Sequence, residues 1–300
     1  MRALVTGGTG FVGSNIVKHL ISEDHDVIIT GFDGEQKIKG FEGKCLHPSF
    51  IGIDWEAIGK VDVVFHEAAI NNTVLMDEAE MMRANVESTK ELFTRCYEMG
   101  CRRFVFATST AIYGDAPAPY KEDCSLNPLN PYAVSKIKME EWIRSFLVDH
   151  PDAIAVGLRY CNVYGPGENH KGSRASMIYQ LAQQMIKKQP RIFKMGEQKR
   201  DYIYVKDVVK ANMLASVAKE SCVVNCGSGS ATTFNDVITI LNGVLSTNWE
   251  PEYFDNPYVG RYQDHTECDM SLAQEKIGFV PAYDIRKGIQ DFFDSGELTK

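Results

Sequence analysis

Residues 2–15 read RALVTGGTGFVGSN: an apolar run, a cluster of glycines, then the start of a helical pattern that continues to residue 20. The apolar run 2–6 reads as a buried strand. Gly7, Gly10 and Gly13 form a G-x-x-G-x-x-G turn between this strand and the helix. Such a turn folds tightly, lets the backbone approach a pyrophosphate, and leaves the partial positive charge of the helix N-terminus open. A purely structural glycine turn is the alternative.

Working outward, apolar runs at 26–29 (DVII), 50–53, 61–66 (VDVVFH), 104–107 and 154–159 read as further strands. Helical spacing occupies 75–99 and 131–149, the latter with Asn130 as expected N-cap and Pro131 at its first position. The polar, glycine-punctuated segment 31–47 reads as a loop or weak helix. The strands are continuous apolar runs, which implies a parallel sheet covered on both faces. The expected fold is therefore α/β, a Rossmann-like doubly wound parallel sheet. The rhythm breaks after residue 165, and a helix is expected at 175–188. The expected division is a dinucleotide-binding domain at 1–165, completed by part of 200–230, and a smaller mixed α/β substrate-binding region at 166–300 packed over the carboxyl edge of the sheet.

The chain has 300 residues, 44% hydrophobic and 24% charged, with a net charge of −8. That is ordinary globular composition. No run of Lys or Arg exceeds two, which argues against a nucleic-acid partner. No apolar stretch is long enough for a membrane span. Met1 leads directly into the first strand, so no signal peptide is read and a cytoplasmic protein is expected. The eight cysteines are then expected as reduced thiols; Cys222 and Cys226 lie close, but nothing completes a zinc set, and no metal is expected.

The end of the second strand is where a dinucleotide's adenosine ribose is read. An acid there selects NAD, and its absence permits NADP. Thr30-Gly31-Phe32 stand at that edge with Asp33 slightly late and Lys37 and Lys39 nearby, a balance that leans slightly to NADP over NAD. Asp54 is placed either to touch the adenine edge or to cap the strand before it.

Tyr132-Ala133-Val134-Ser135-Lys136 is Y-x-x-x-K on the expected helix at 131–149, and residues four apart share a helical face. A cationic Lys136 beside Tyr132, with an oxidised nicotinamide, is expected to favour the phenolate, so that Tyr132 exchanges an alcohol proton near neutral pH. Ser109, in the run Thr108-Ser109-Thr110 ending the fifth strand, brings a hydroxyl to the same sheet edge.

With these pieces in place, the chain resembles the extended short-chain dehydrogenase/reductase superfamily, in its nucleotide-sugar epimerase and dehydratase branch. The matching stretches are TGGTGFVGSN, FHEAA (65–69), Asn85, ATSTAIYG (107–114), YAVSK, RYCNVYGP (159–166) and RDYIYVKDV (200–208). The resemblance implies a catalytic Ser109, Tyr132 and Lys136. It implies pyrophosphate contacts at Gly7, Gly10, Phe11, Val12 and Gly13, and Ala68, Ala69, Asn85 and Val163 along the cofactor, with Lys136 on the nicotinamide ribose. Asn71 and Asn162 would lie by the substrate, and Arg200 and Asp201 near its diphosphate and the domain contact. Ala68 and Ala69 as close packing, and Asn85 as a buried residue bonding a neighbouring loop, are the structural alternatives. Sugar dehydratases of the branch carry an Asp-Glu pair after the catalytic hydroxyl; here Thr110-Ala111 stand there, which removes the acid and base of elimination.

The stretch 165–176 (GPGENHKGSRAS) and Gly260-Arg261-Tyr262-Gln263 look like bacterial ADP-glycero-manno-heptose 6-epimerases. That likeness implies Lys171 as a second acid/base, with Ser173, Arg200 and Tyr262 contacting a nucleotide-diphosphate sugar. It implies inversion of a carbinol centre by transient oxidation. A UDP-hexose 4-epimerase or a 4-keto-sugar reductase, without a role for Lys171, is the alternative enzyme; a dinucleotide-sensing regulator is the alternative from another class. Relatives pair through helices beside the catalytic one; the helices at 75–99 and 131–149 are the candidates in this chain, so a homo-oligomer is expected.

Overall fold

The computed structural model describes residues 1–31, 38–46, 55–71, 77–255 and 264–300, with the backbone alone for Ala57 and Lys194. The strands are β1 (Arg2–Thr6), β2 (Asp26–Thr30), β3 (Lys44–Leu46), β4 (Val63–His66), β5 (Arg103–Ser109), β6 (Ile154–Tyr160), β7 (Asn162–Tyr164), β8 (Arg191–Phe193), β9 (Lys199–Tyr204), β10 (Cys222–Cys226), β11 (Ala231–Thr233) and β12 (Glu252–Phe254). The helices are α1 (Phe11–Ser22), α2 (Trp55–Ile58), α3 (Glu78–Met82), α4 (Ser88–Glu98), α5 (Pro131–Asp149), α6 (Met177–Met185), α7 (Val205–Ser216), α8 (Phe234–Leu245), α9 (Ser271–Ile277) and α10 (Ile285–Asp294).

Seven strands form one parallel sheet in the order β10-β6-β5-β4-β1-β2-β3. The chain winds one way from β1 through β2 to β3 and the other way from β4 through β5 to β6. The winding reverses between β1 and β4, which opens a crevice at their carboxyl ends. Successive residues of β1 serve opposite faces, as strand geometry demands. Ala3 and Val5 pack with α1 and α7 residues such as Ile16 and Val208, whereas Leu4 joins Phe93 of α4 and Met139 of α5. A separate apolar core, including Ile178, Phe234, Ile238 and Phe292, unites α6, α8 and α10 beside a small sheet in the order β11-β9-β7. Among the described residues, no helix is long and apolar enough to cross a membrane.

Two local readings change, and one falls outside what the structure describes. The segment 31–47 holds a strand, β3, paired in parallel with β2 from Ile28↔Lys44 to Thr30↔Leu46; three residues are too short to show an apolar period. The expected strand at 50–53 lies outside the described residues. The helical stretch at 75–99 is interrupted by a π-helical turn at Arg83–Glu87 between α3 and α4. The wider turn carries Asn85 fully into the interior, a use often seen for such turns at functional sites. By contrast, α5 starts where its signals place it: Asn130 Oδ1 accepts from Ala133 N at 2.9 Å, with Pro131 first in the helix.

Candidate active site

A cavity of about 940 Å³ occupies the crevice, near the upper end of the usual range for ligand pockets. Its wall brings together Gly7, Gly10, Phe11, Val12, Gly13, Gly31, Ala68, Ala69, Asn71, Ser109, Tyr132, Lys136, Val163 and Lys171. Sequence positions separated by most of the chain thus meet on one surface.

The glycine turn fits a pyrophosphate. Gly7 has φ +65°, and a Cβ there would lie 2.9 Å from Ala68 N. A Cβ on Gly13 would lie 2.2 Å from the Gly7 carbonyl oxygen. Larger residues would break the turn that seats the α1 N-terminus against the cavity. No acidic residue stands in the first turn of α1, so its exposed N–H groups face the cavity without a competing anion.

Ser109 ends β5, and its side chain hydrogen-bonds the Tyr132 oxygen. Lys136 Nζ donates to the Ala107 carbonyl at 2.8 Å and stands 5.9 Å from the centre of the Tyr132 ring. Burial lowers the Lys136 ammonium to about 8, against Glu67 and Glu140, which support the charge. Burial pushes the Tyr132 phenol up to about 12; the Ser109 hydrogen bond opposes this and Glu67 adds to it. Without the nicotinamide's charge, burial of the phenolate is the largest effect on Tyr132, and the Lys136 ammonium donates to a carbonyl.

A buried network braces this trio. Glu140, one turn beyond Lys136 on α5, accepts from Arg159 Nη2 at 2.7 Å and Nε at 3.2 Å. Thr108, the neighbour of Ser109, donates to Glu140 Oε1 at 2.7 Å. Arg159 also donates to the Tyr113 hydroxyl at 2.8 Å. One carboxylate thus locks α5 to β5 and β6 beneath the site.

Lys171 lies on the turn Asn169–Arg174, which Glu168 secures. The fully buried Glu168 carboxylate accepts from Gly165 N, Ser176 N and Ser176 Oγ. Lys171 Nζ sits 5.1 Å from the centre of the Phe11 ring, beside the glycine turn. Burial lowers its ammonium, Glu168 opposes this, and Arg174 adds to it.

Other expected residues stand elsewhere. Asn85 lies behind the cavity wall, and Asn162, Ser173 and Arg200 are also absent from the lining. The Asn162 amide donates to the Asp201 carbonyl at 3.0 Å and Thr266 Oγ1 at 3.2 Å, which holds β7 to β9 and to the segment around Thr266. Ser173 is exposed and its carbonyl accepts from Gln180. Arg200 is buried and donates to the Lys199 carbonyl at 2.8 Å. Asp201 is a structural node whose carboxylate accepts from Ser228 N and Oγ, Gly229 N and Cys268 N. Phe32, Asp33, Asp54 and Tyr262 lie outside the described residues. Thr110, at the place of a dehydratase carboxylate, is buried and donates to the Tyr160 carbonyl at 3.1 Å, away from the cavity.

The sequence reading missed Glu67 and Tyr160, both on the wall. Tyr160 donates to Glu67 Oε1 at 2.9 Å. The signal available was an acid directly after a buried strand, within the quoted FHEAA.

A model of the NAD dependent epimerase/dehydratase family matches residues 3–227. The chain belongs to that family. An ADP-L-glycero-D-manno-heptose-6-epimerase of Alkalilimnicola ehrlichii is 35% identical, over 97% of this chain and 96% of its own. Among solved structures, the ADP-L-glycero-D-manno-heptose-6-epimerase of Helicobacter pylori is 31% identical with a TM-score of 0.88, covering 98% of this chain and 95% of that one. The UDP-glucose 4-epimerase of Thermotoga maritima, solved with UDP-glucose, is 29% identical with a TM-score of 0.89 and covers 99% of both chains. The family member described here is an epimerase with a Rossmann fold and an NAD-type cofactor.

Proposed function

We propose that the chain inverts a carbinol centre of a nucleotide-diphosphate sugar, and that its substrate is an ADP-linked heptose inverted at C6. One observation carries the reading: a single cavity is lined by Tyr132 of α5 and Lys171 of the 169–174 turn, two proton-exchanging groups on separate elements. Two groups that can each exchange a proton let the sugar react in two opposed orientations, one served by each group. The heptose relatives supply the sugar; backbone similarity does not discriminate, since TM-scores of 0.88 and 0.89 belong to a 6-epimerase and a 4-epimerase.

When bound, the dinucleotide supplies a hydride acceptor that returns what it takes and, in its oxidised form, a positive charge near Tyr132. Gly7, Gly10, Phe11, Val12 and Gly13 hold its pyrophosphate, and Lys136 its nicotinamide ribose. Ser109 hydrogen-bonds the reacting sugar oxygen and fixes its distance from Tyr132. Tyr132 exchanges a proton with that oxygen in one orientation, and Lys171 does so in the other. The region built on β9, β11, α6 and α8 holds the nucleotide sugar over the sheet. The bare edge at Gly31 admits a 2′-phosphate, so NADP is favoured over NAD. The chain pairs with a second copy through α4 and α5, where Val148 is 77% exposed.

Incubation with ADP-, UDP-, GDP- and CDP-sugars, with products resolved by NMR, tests the reading. Inversion of the ADP-heptose at C6 without net cofactor consumption is expected. Activity only on UDP-hexoses at C4 assigns the 4-epimerase instead, and net consumption assigns a reductase. Light scattering of the purified protein tests the pairing, and fluorescence titration with NAD and NADP tests the cofactor preference.

A further inference from the structure

Glu67 follows β4 directly and lines the cavity. Its partner comes from two strands away. β5 lies between β4 and β6, and Ser109 at the end of β5 is in register with Tyr160 of β6. The Tyr160 hydroxyl donates to Glu67 Oε1 at 2.9 Å, so this hydrogen bond spans the end of the strand that carries Ser109. Glu67, Ser109, Tyr132 and Lys136 all line the same cavity. The brace continues: Asn212 Nδ2 of α7 donates to the Tyr160 hydroxyl at 2.8 Å and to the Val208 carbonyl at 2.9 Å.

Tyr160 of β6 bonds this carboxyl, Lys136 and Tyr132 of α5 line the same cavity, and the charge of Glu67 acts on these groups and on Cys226 of β10. Lys136 is the cation among them. Neighbouring His66 faces the opposite way, bonded to Thr6 and Thr89.

We propose that Glu67 is a positioning residue for the proton transfer: the Tyr160–Asn212 brace holds its carboxyl where its charge sets how firmly Lys136 and Tyr132 keep their protons. The proposal rests on reading Tyr132 as the proton-exchanging group. Ionised, Glu67 supports the Lys136 ammonium and opposes the Tyr132 phenolate; protonated, it withdraws both effects. Burial raises this carboxyl to about 7, against the Tyr160 hydrogen bond and the Lys136 charge. The change between the two settings therefore falls near neutral pH. A plain structural acid, paired and permanently charged, would give the site no such setting.

The test uses the cofactor-loaded enzyme. Glu67→Gln keeps the shape and an oxygen that accepts from Tyr160, but it cannot ionise. Without the opposing charge, the Tyr132 phenol ionises at lower pH. The acid limb of kcat/KM against pH should move down by about one unit, the low end of the shift produced by a close charge. Glu67→Asp keeps the charge and should keep the limb near the wild-type position. In parallel, carbon-13 NMR of glutamate-labelled protein should show a carboxyl titrating well above the usual glutamate range that is missing from Glu67→Gln. An unmoved limb in Glu67→Gln, an equal shift in Glu67→Asp, or the absence of that titration overturns the proposal. The carboxyl titration is read without turnover, so a failed epimerase assay counts against the proposed function and leaves the Glu67 result to stand separately.

Discussion

Asn85 grips Ile70 with both ends of its amide: Oδ1 accepts from Ile70 N at 2.8 Å and Nδ2 donates to Ile70 O at 3.0 Å. The same Nδ2 lies 3.0 Å from Ser135 Oγ, on the helix that bears Tyr132 and Lys136. A residue outside the cavity thus joins the FHEAA wall to the catalytic helix. Of the two roles open to it at the level of sequence, contact along the cofactor or fastening a loop, the described geometry is that of fastening.

Asn85→Ala should therefore weaken cofactor binding without touching the chemistry directly. Loss of a buried amide that serves two main-chain groups costs about 1–3 kcal/mol. Denaturant unfolding should register that loss. Dinucleotide affinity, read by fluorescence, should fall about tenfold, the equivalent of roughly 1.4 kcal/mol, and a high cofactor concentration should restore most of kcat.

Glu140→Gln should be among the most damaging changes near the site. It leaves Arg159 charged, 5% exposed and without its ion partner. Breaking one side of a buried pair costs about 3–5 kcal/mol. Urea unfolding should show that loss, and Thr108→Val, which removes one of the bonds to the same carboxylate, should show a smaller one.

Tyr132→Phe and Lys171→Met separate the two proposed proton carriers. Tyr132→Phe should lower kcat by about 10²–10⁴-fold, the usual worth of a general acid/base, with the cofactor retained on purification. Lys171→Met should abolish 6-epimerisation and leave any 4-epimerase activity nearly intact. Equal, small losses in both variants would count against a two-carrier mechanism.

His66 gives a pH signature of folding. Its Nδ1 lies 2.7 Å from Thr6 Oγ1 and its Nε2 2.8 Å from Thr89 Oγ1. Burial, reinforced by Lys136, lowers its pKa from 6.5 to about 3. The unfolded state therefore binds the proton first. The associated stability is present above pH 6.5 and is lost as pH falls toward about 3, at about 1.4 kcal/mol per pH unit. Urea unfolding at pH 6.5 and 5.0 should show wild type losing about 2 kcal/mol more than His66→Gln. Equal losses would contradict a neutral buried histidine.

Much of the fold was legible because most strands of the main sheet are continuous apolar runs, and because helix starts carry local chemistry, as at Asn130 and Pro131. β3 was not legible, since three residues, one exposed and two half-buried, have no apolar period of their own. The π turn was invisible because it adds a residue to a helix without changing its composition. At the site, Ser109, Tyr132, Lys136 and the glycines follow from local spacing. The Glu67–Tyr160 bond joins residues 93 positions apart, and no local pattern announces it. The burial that raises the Tyr132 phenol was not legible for a related reason: spacing shows that Lys136 is near, while burial appears only once the cavity is assembled.

The most direct measurement follows an isotope. An ADP-heptose carrying deuterium on the carbon to be inverted is converted in ordinary water, and the product is read by mass spectrometry and NMR. Removal and return of the same hydride predicts an inverted product that keeps its deuterium, with no net change in reduced cofactor. Replacement of that deuterium by solvent hydrogen would contradict the account.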